Sequence, residues 1–238
     1  MDAIPQGNDW QYEPKWDGFR CLAFRDGSKI ELQSKSEQPL ARYFPELVKA
    51  LSELEARRFV LDGEIAVLED GNFSFDALLQ RHHPAASRVK ILATRTPAIF
   101  VVFDLLAADD GRSLLSLPLS ERRSRLEVFA AEFFSKSGSV RLSTATLRLA
   151  EAKKWLAQTD ATVDGIVAKR LDLDYRSGLR DGMQKIKTTA APTASLGDSA
   201  MAKERKRSVR SSLAYMARTV CCITLVSLPV FRRSTDQR

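Results

Sequence analysis

Asp-Gly pairs at 26–27, 62–63, 70–71, 110–111 and 164–165 cut the first 188 residues into short runs. Glycine enters left-handed backbone at no steric cost and aspartate hydrogen-bonds nearby main chain, so each pair is turn chemistry. A chain turned this often is predicted to build hairpins rather than a bundle of long helices. Cys21–Phe24 and Lys29–Gln33 flank Asp26-Gly27 as the two arms of one hairpin. Phe59–Leu61 and Glu64–Leu68 read as strand segments interrupted by Asp62-Gly63. Ile99–Leu106 is apolar almost throughout, as a buried strand is. Helical spacing lies between these runs. Pro45–Ala56 places Leu47, Val48, Leu51 and Leu54 at helical intervals, Leu119–Phe134 is charged on one side, and Thr146–Gln158 follows Ser143 and Thr144 as candidate caps. Strands in hairpins mixed with helices predict an α+β fold.

The texture changes after Thr188. The chain of 238 residues carries a net charge of +7, and nine basic against three acidic residues from Thr189 onward account for +6 of it. Residues 1–188 are therefore close to neutral, and overall basicity is no argument for nucleic-acid binding by that part. A domain boundary is expected near 188, with 189–238 a weakly structured tail. It comprises an alanine-rich stretch (Thr189–Ala200), a basic cluster (Lys203–Arg210) and an uncharged run (Thr219–Phe231). That run is shorter than the roughly 20 residues that cross a bilayer, so no membrane role is expected. Cys21, Cys221 and Cys222 have neither metal-ligand spacing nor a disulfide framework. With no amino-terminal signal pattern, the expected compartment is the reducing cytoplasm.

Candidate chemistry begins at Glu13-Pro-Lys-Trp-Asp-Gly-Phe-Arg20. Lys15 has Asp17 two residues on, Gly18 to relax the backbone, and Arg20 beyond. A lysine amine beside a carboxylate and a guanidinium is the equipment of a covalent nucleophile toward a phosphate ester. At an ordinary lysine pKa of about 10.4, roughly one amine in 2,500 is neutral at pH 7, so such a site must favour the neutral form by burial or neighbouring positive charge. Arg20, Lys185 and Lys187 are candidate sources of that charge. Glu64, in Leu-Asp-Gly-Glu-Ile-Ala-Val, puts a carboxylate at a strand edge for a ribose hydroxyl or a metal. Phe103, before Asp104 at the end of the apolar run, offers a ring to a purine. Asp164, in Val-Asp-Gly-Ile-Val-Ala-Lys-Arg, repeats the acid at a strand edge, with Lys169 five residues on. Lys185 and Lys187 alternate along Gln-Lys-Ile-Lys, so both face one side of an extended segment and can share a phosphate.

In this order and spacing the segments resemble the adenylation domain of the ATP-dependent DNA ligases, and the bacterial end-joining type in particular. These belong to the wider lysine nucleotidyltransferases, which include RNA ligases and capping enzymes. The resemblance runs from about Pro5 to Thr188 through Lys15-Trp-Asp-Gly18, Ser34-Lys35, Leu61-Asp-Gly-Glu64, Val102-Phe-Asp-Leu105, Asp164-Gly-Ile-Val167 and Lys185-Ile-Lys187. Phe73–Arg81 and Tyr175–Arg180 between them are similar as well. Any one of these is a short match; six in one order are specific. The resemblance implies two mainly antiparallel sheets flanked by helices, and ATP-dependent joining of DNA strands in repair and recombination. By the same resemblance, Lys15 attacks the α-phosphate of ATP and becomes Lys-AMP, while Lys185 and Lys187 hold that phosphate. Arg20 meets the nucleotide sugar or the nicked-strand terminus, Glu64 takes ribose or metal, and Phe103 stacks on adenine. Glu13 reads the base, Lys169 joins the nucleotide contacts, and Asp164 binds Mg²⁺ or Mn²⁺. The implied partners are DNA with nicks or ends and a Ku-type end-binding protein, the enzyme itself being a monomer.

Departures from the family pattern are specific. Asp164 stands where glutamate is usual, Lys35 where arginine is usual, and Met183 where tryptophan commonly precedes the paired lysines. Family members also continue into an OB-fold domain that closes over ATP and clamps DNA. Residues 189–238 do not read as one, so slow self-adenylation and a truncated or out-of-frame tail are expected. Two alternatives stay open: an RNA-ligase or capping-type nucleotidyltransferase, and a nucleotide- or DNA-binding remnant that no longer turns over.

Overall fold

The computed structural model describes residues 3–69, 71–134, 137–157, 165–177 and 182–187. Asp164, the expected boundary near 188 and the tail after it lie outside the described residues. The elements run β1 (Trp10–Pro14), β2 (Phe19–Asp26), β3 (Lys29–Ser34), α1 (Pro45–Ser52), β4 (Arg58–Glu69), β5 (Asn72–Phe73), α2 (Phe75–Leu79) and α3 (Ala86–Arg95). They continue with β6 (Ala98–Ala107), α4 (Leu119–Phe133), β7 (Val140–Leu142), α5 (Leu149–Ala157), β8 (Gly165–Arg170) and β9 (Met183–Lys187). Two sheets result. The larger has six strands in the order β3-β2-β4-β6-β7, with β5 added to β4, and the smaller has three in the order β1-β8-β9. Every pairing is antiparallel except β6 with β7. The α+β expectation of two mainly antiparallel sheets flanked by helices is met.

The Asp-Gly pairs divide into two kinds. Asp26-Gly27 turns β2 into β3, with Gly27 at φ +60°, and Gly71 and Gly111 are left-handed at +83° and +77°. Asp62-Gly63 does the opposite of what turn chemistry predicts: β4 runs straight through it. Asp62 is drawn into the sheet by a buried ion pair with Arg20, and Gly63 is the residue that fits beneath β6. A Cβ at Gly63 would lie 2.5 Å from the Val101 carbonyl oxygen and 2.7 Å from the Phe100 ring. Tertiary contact overrides a local turn signal there.

Helix ends show the same dependence on distant residues. α1 starts with Pro45 in its first turn, where the missing N–H costs nothing. It stops at Ser52, short of the expected Ala56, where the Arg25 guanidinium takes the carbonyls of Leu51 (2.7 Å), Ser52 (3.0 Å) and Leu54 (2.6 Å). α4 has no side-chain cap at Pro118. Its first amides instead donate to the chain following β8, Leu119 to the Leu173 carbonyl and Ser120 to that of Leu171. Ser143, expected as a cap for α5, accepts the Trp16 indole N–H at 2.9 Å, and the hydroxyl beside the helix start is that of Thr146, which accepts the Arg148 amide. α2 and α3 have no counterpart among the expected helices; Ser74 caps α2 by accepting the Ala77 amide.

The main core packs one face of the large sheet (Ala23, Leu61, Ile65, Phe100, Val102) against α1 and α4 through Leu47, Leu51, Leu126 and Phe129. Leu47 and Leu51 are fully buried, each contributing about 1.5–3 kcal/mol by leaving water. A second, smaller core lies behind β1-β8-β9, where Tyr12, Ile166, Ala168 and Ile186 meet Ala152 of α5. The opposite face of the large sheet carries two smaller apolar clusters, Leu22, Phe24, Val60 and Leu106 in one and Ala66, Ile99 and Val101 in the other.

Candidate active site

Strand alternation places the small sheet's functional side chains. Tyr12, Ile166, Ala168 and Ile186 point to α5, so the residues between them point the other way. Register sets Glu13 opposite Val167, Gln11 opposite Lys169, and Val167 opposite Lys185. Glu13, Lys169, Lys185 and Lys187 therefore share one face. Lys15 follows the end of β1, and its amide donates to the Gly165 carbonyl at 2.9 Å. Gly165 pairs in turn with Lys187. Gly165 has φ +146°, and a Cβ there would meet the Ile186 carbonyl oxygen at 2.1 Å. Only glycine lets β1, β8 and β9 close this tightly beside Lys15.

The Lys-Trp-Asp-Gly segment then crosses to the large sheet. Trp16 packs on Phe73, ring centroids 5.4 Å apart, and is tied to Ser143 by its indole. Gly18 lies flat on β4: a Cβ would fall 2.2 Å from the Ile65 carbonyl oxygen and 2.9 Å from Glu64 Cγ. This contact brings the loop that follows Lys15 onto the strand that carries Glu64.

Glu13 and Lys169 form one buried unit. Lys169 Nζ donates to Glu13 Oε2 at 2.8 Å, and Gln11 Nε2 donates to Glu13 Oε1 at 2.7 Å. The same ammonium sits 4.3 Å from the centroid of the Phe103 ring, a cation–π contact between the two sheets. Phe103 is the extra residue of a β-bulge: Gly63 pairs with Val102 and Asp62 with Asp104, leaving Phe103 without a cross-strand partner on β4. A bulge re-aims one side chain while the strand continues.

Arg20, on β2, pairs in register with Glu64. Its guanidinium grips Asp62 through Nε to Oδ1 (3.1 Å) and Nη2 to Oδ2 (2.6 Å). Asp62 is fully buried, and it holds Arg20 strongly in its charged form. Burial pushes the Glu64 carboxyl up to about 7, reinforced by Asp62 and opposed by Arg20, Lys185 and Lys15. Lys185 is pulled below the ordinary lysine value by partial desolvation, then by Arg20, Lys15 and Lys35, with Glu64 opposing. Arg20, Lys185 and Lys15 thus act on Glu64 within electrostatic reach, beside the buried Asp62, and Lys35 acts in turn on Lys185. A cationic cluster of this kind suits a polyphosphate.

Residues 3–187 match the family model described as "ATP dependent DNA ligase domain". The chain belongs to the ATP-dependent DNA ligases. It is 47% identical over 182 residues to DNA ligase C2 of Mycolicibacterium smegmatis, covering 76% of this chain and 49% of that protein. It is 45% identical over 182 residues to DNA ligase C of Mycobacterium tuberculosis, covering 76% and 50%. Among solved structures it resembles the ligase domain of M. tuberculosis LigD, with TM-score 0.56 and 27% identity, over 75% of this chain and 53% of that one. A mycobacterial DNA ligase D complexed with ATP and MES gives TM-score 0.53 at 28% identity, over 75% of this chain and 54% of that one. This chain spans about half the length of the curated relatives it matches.

With the ligase family in view, the predicted residues sort by location. Lys15, Arg20, Glu64 and Lys185 converge; Lys187 shares their face and, like Lys185, is exposed; Glu13, Lys169 and Phe103 form a deeper group. Asp164 lies outside the described residues. Among the described residues no cluster of three His, Cys, Asp or Glu forms a metal cage. One carboxylate completed by phosphate oxygens is a usual magnesium arrangement, and Glu64 fits that part. Sequence reasoning missed Asp62, although a charged residue inside a buried strand demands a cation, and it missed the pairing of Asp104 with Arg122.

Proposed function

We propose that this domain transfers AMP from ATP to its own Lys15 and then to a DNA 5′-phosphate, preparing the strand for sealing. The observation that carries this reading is the meeting of Lys15, Arg20 and Lys185 at Glu64, drawn from both sheets, with Lys35 acting on Lys185. In the first step the neutral Lys15 Nζ attacks the α-phosphorus, a P–N bond forms, the bond to the bridging oxygen breaks, and pyrophosphate leaves. The amine's proton passes to solvent. In the second, an oxygen of the DNA 5′-phosphate displaces the lysine, and in the third a 3′-hydroxyl displaces AMP.

The chain's own residues supply alignment and charge. The β1–β8 pairing fixes the backbone of Lys15, and Lys185 and Lys187 present cations to the phosphates from the neighbouring strand. Arg20 is held rigid by Asp62, so its field is preorganised rather than recruited during reaction. Phe103 offers a purine its ring, with Lys169 and Glu13 beside it. A divalent cation, when bound, offsets charge on the leaving pyrophosphate. Glu64 is its candidate holder here, together with Asp164. DNA with nicks or ends is the proposed substrate and a Ku-type end-binding protein the proposed partner, as for a repair enzyme.

Incubation with α-labelled ATP and Mg²⁺ or Mn²⁺, followed by a denaturing gel, tests the first step. Acid-labile label is expected on the wild-type chain and absent from Lys15→Ala. A folded wild-type protein that takes no label rules the proposal out. A pre-adenylylated nick then tests sealing by itself, and failure there confines the domain to nucleotide chemistry.

A further inference from the structure

We infer that Tyr175 is a positioning residue for Arg20, and that it joins the orientation of this cation to the chain segment leaving the small sheet. The inference rests on the proposed nucleotidyl transfer and adds a residue to it.

The Tyr175 hydroxyl donates to Asp62 Oδ2 at 2.8 Å and accepts from Arg20 Nη2 at 3.2 Å. Arg20 also donates to both oxygens of Asp62. The three side chains thus close a ring of hydrogen bonds. Asp62 alone would grip one edge of the guanidinium and leave it free to swing about that edge. The phenol oxygen supplies a point of attachment from a different element. This clamp uses Nε and Nη2, so Nη1 is not engaged by it.

Tyr175 is itself held from three directions. Its amide donates to the Leu115 carbonyl at 2.9 Å, and its ring packs with Leu22, Phe24, Val60 and Leu106. Its ring also lies beneath the Arg122 guanidinium, 5.6 Å from Cζ to centroid. Arg122 is engaged bidentately with Asp104 at 2.9 and 3.0 Å and donates to the Leu117 carbonyl at 2.6 Å. Asp104 stands directly opposite Asp62 across β4 and β6. Two buried ion pairs therefore lie side by side with one tyrosine between them. Burial, then Asp62, raises the phenol well above its ordinary value, so it remains a donor at physiological pH.

What distinguishes positioning from scaffolding is where these bonds land. Arg20 lies 5.6 Å from the Phe103 ring centroid and acts on both Glu64 and Lys185. Tyr175 reaches none of those groups in the clamp except through Arg20 and Asp62. Its segment begins where β8 ends, and the neighbouring Leu171 and Leu173 carbonyls receive the first amides of α4. The setting of Arg20 on the large sheet thus depends on chain that leaves the small one.

The test is Tyr175→Phe in the full chain, which keeps the ring and its stack under Arg122 and removes both hydroxyl bonds. Bonds to charged partners of this kind carry about a 10–100-fold effect. The maximal rate of Lys15 labelling by α-labelled ATP should fall by about that factor, with half-saturating ATP changed less than about threefold. In an Arg20→Lys background the same substitution should add almost nothing, because the residue through which it acts is gone. Losses that multiply across the two backgrounds overturn the inference. Solvent exchange of the Arg20 Nε–H, followed by NMR, gives a second reading that needs no turnover: it should quicken in Tyr175→Phe, and unchanged exchange also overturns the inference. A wild-type chain that never labels removes the proposed function, and the exchange measurement still decides the role of Tyr175.

Discussion

The two sheets solve different problems with different materials. The large sheet is packed on one face by α1 and α4 and carries its charges as buried, bidentate pairs, Arg20 with Asp62 and Arg122 with Asp104. The small sheet has one helix behind it, a core of a few residues, and lysines that face outward. One sheet holds charge fixed; the other delivers Lys15 and Lys185 to it. The lesson is that preorganisation and access are assigned to separate layers, joined by the Lys15–Gly18 crossing and by the segment that contains Tyr175.

The sharpest way to break this comparison is Asp62→Ala, which strands Arg20. The Arg20 side chain is 31% exposed, so the loss falls below that of a fully buried pair, at about 2–3 kcal/mol, read as a lower midpoint in denaturant. A loss under about 1 kcal/mol would show that the large sheet does not depend on its ion pairs. Gly165→Ala should cost less, about 1–3 kcal/mol, because the strain falls on the small sheet. Label on Lys15 should nevertheless disappear, and retained label would mean that the tight closure of β1, β8 and β9 is dispensable.

Glu64→Gln separates the sheets by pH. The folded Glu64 carboxyl holds its proton to about 7 against an ordinary value of 4.5, so the folded state binds more protons between those limits. Stability attributable to this group is therefore greatest at low pH and falls as pH rises through that window. The variant should lack this slope and gain about 1–3 kcal/mol on wild type by pH 8, relative to their difference at pH 4. Parallel curves over that range would place Glu64 in water. Lys185→Ala should leave stability within about 0.5 kcal/mol while labelling falls about 10²-fold. Smallest of all, removing residues 190–238 should shift the unfolding midpoint by no more than about 0.5 kcal/mol, since the described strands close at Lys187. A large shift would show that the tail packs on the core.

What could be read from the sequence was what is local. The β2–β3 hairpin was legible because its turn and both arms lie within a short stretch, and β6 because it is one apolar run. Lys15, Arg20, Glu64 and Lys185 were legible as residue types suited to phosphate, and the family resemblance of six motifs in one order supplied their expected roles. The Phe103 bulge was not, since a strand slips by one residue only in relation to its neighbour. Nor was the meeting of Glu13 with Lys169, which requires β1 to pair with a strand from the far end of the domain. α3 was hidden by its weak pattern, with only Val89 and Leu92 buried.

That long pairing has a consequence for how the protein is made. β1 ends at Pro14, but its partner β8 begins at Gly165 and the outer strand β9 ends at Lys187. Until both have emerged, β1 is an unpaired strand and the two sets of charges cannot meet. The nascent chain therefore carries Lys15 apart from Lys185 and Lys187 until that whole span has been made. Under the proposed transfer, AMP reaches Lys15 only after both sheets have closed, so covalent loading is itself a report that folding has finished.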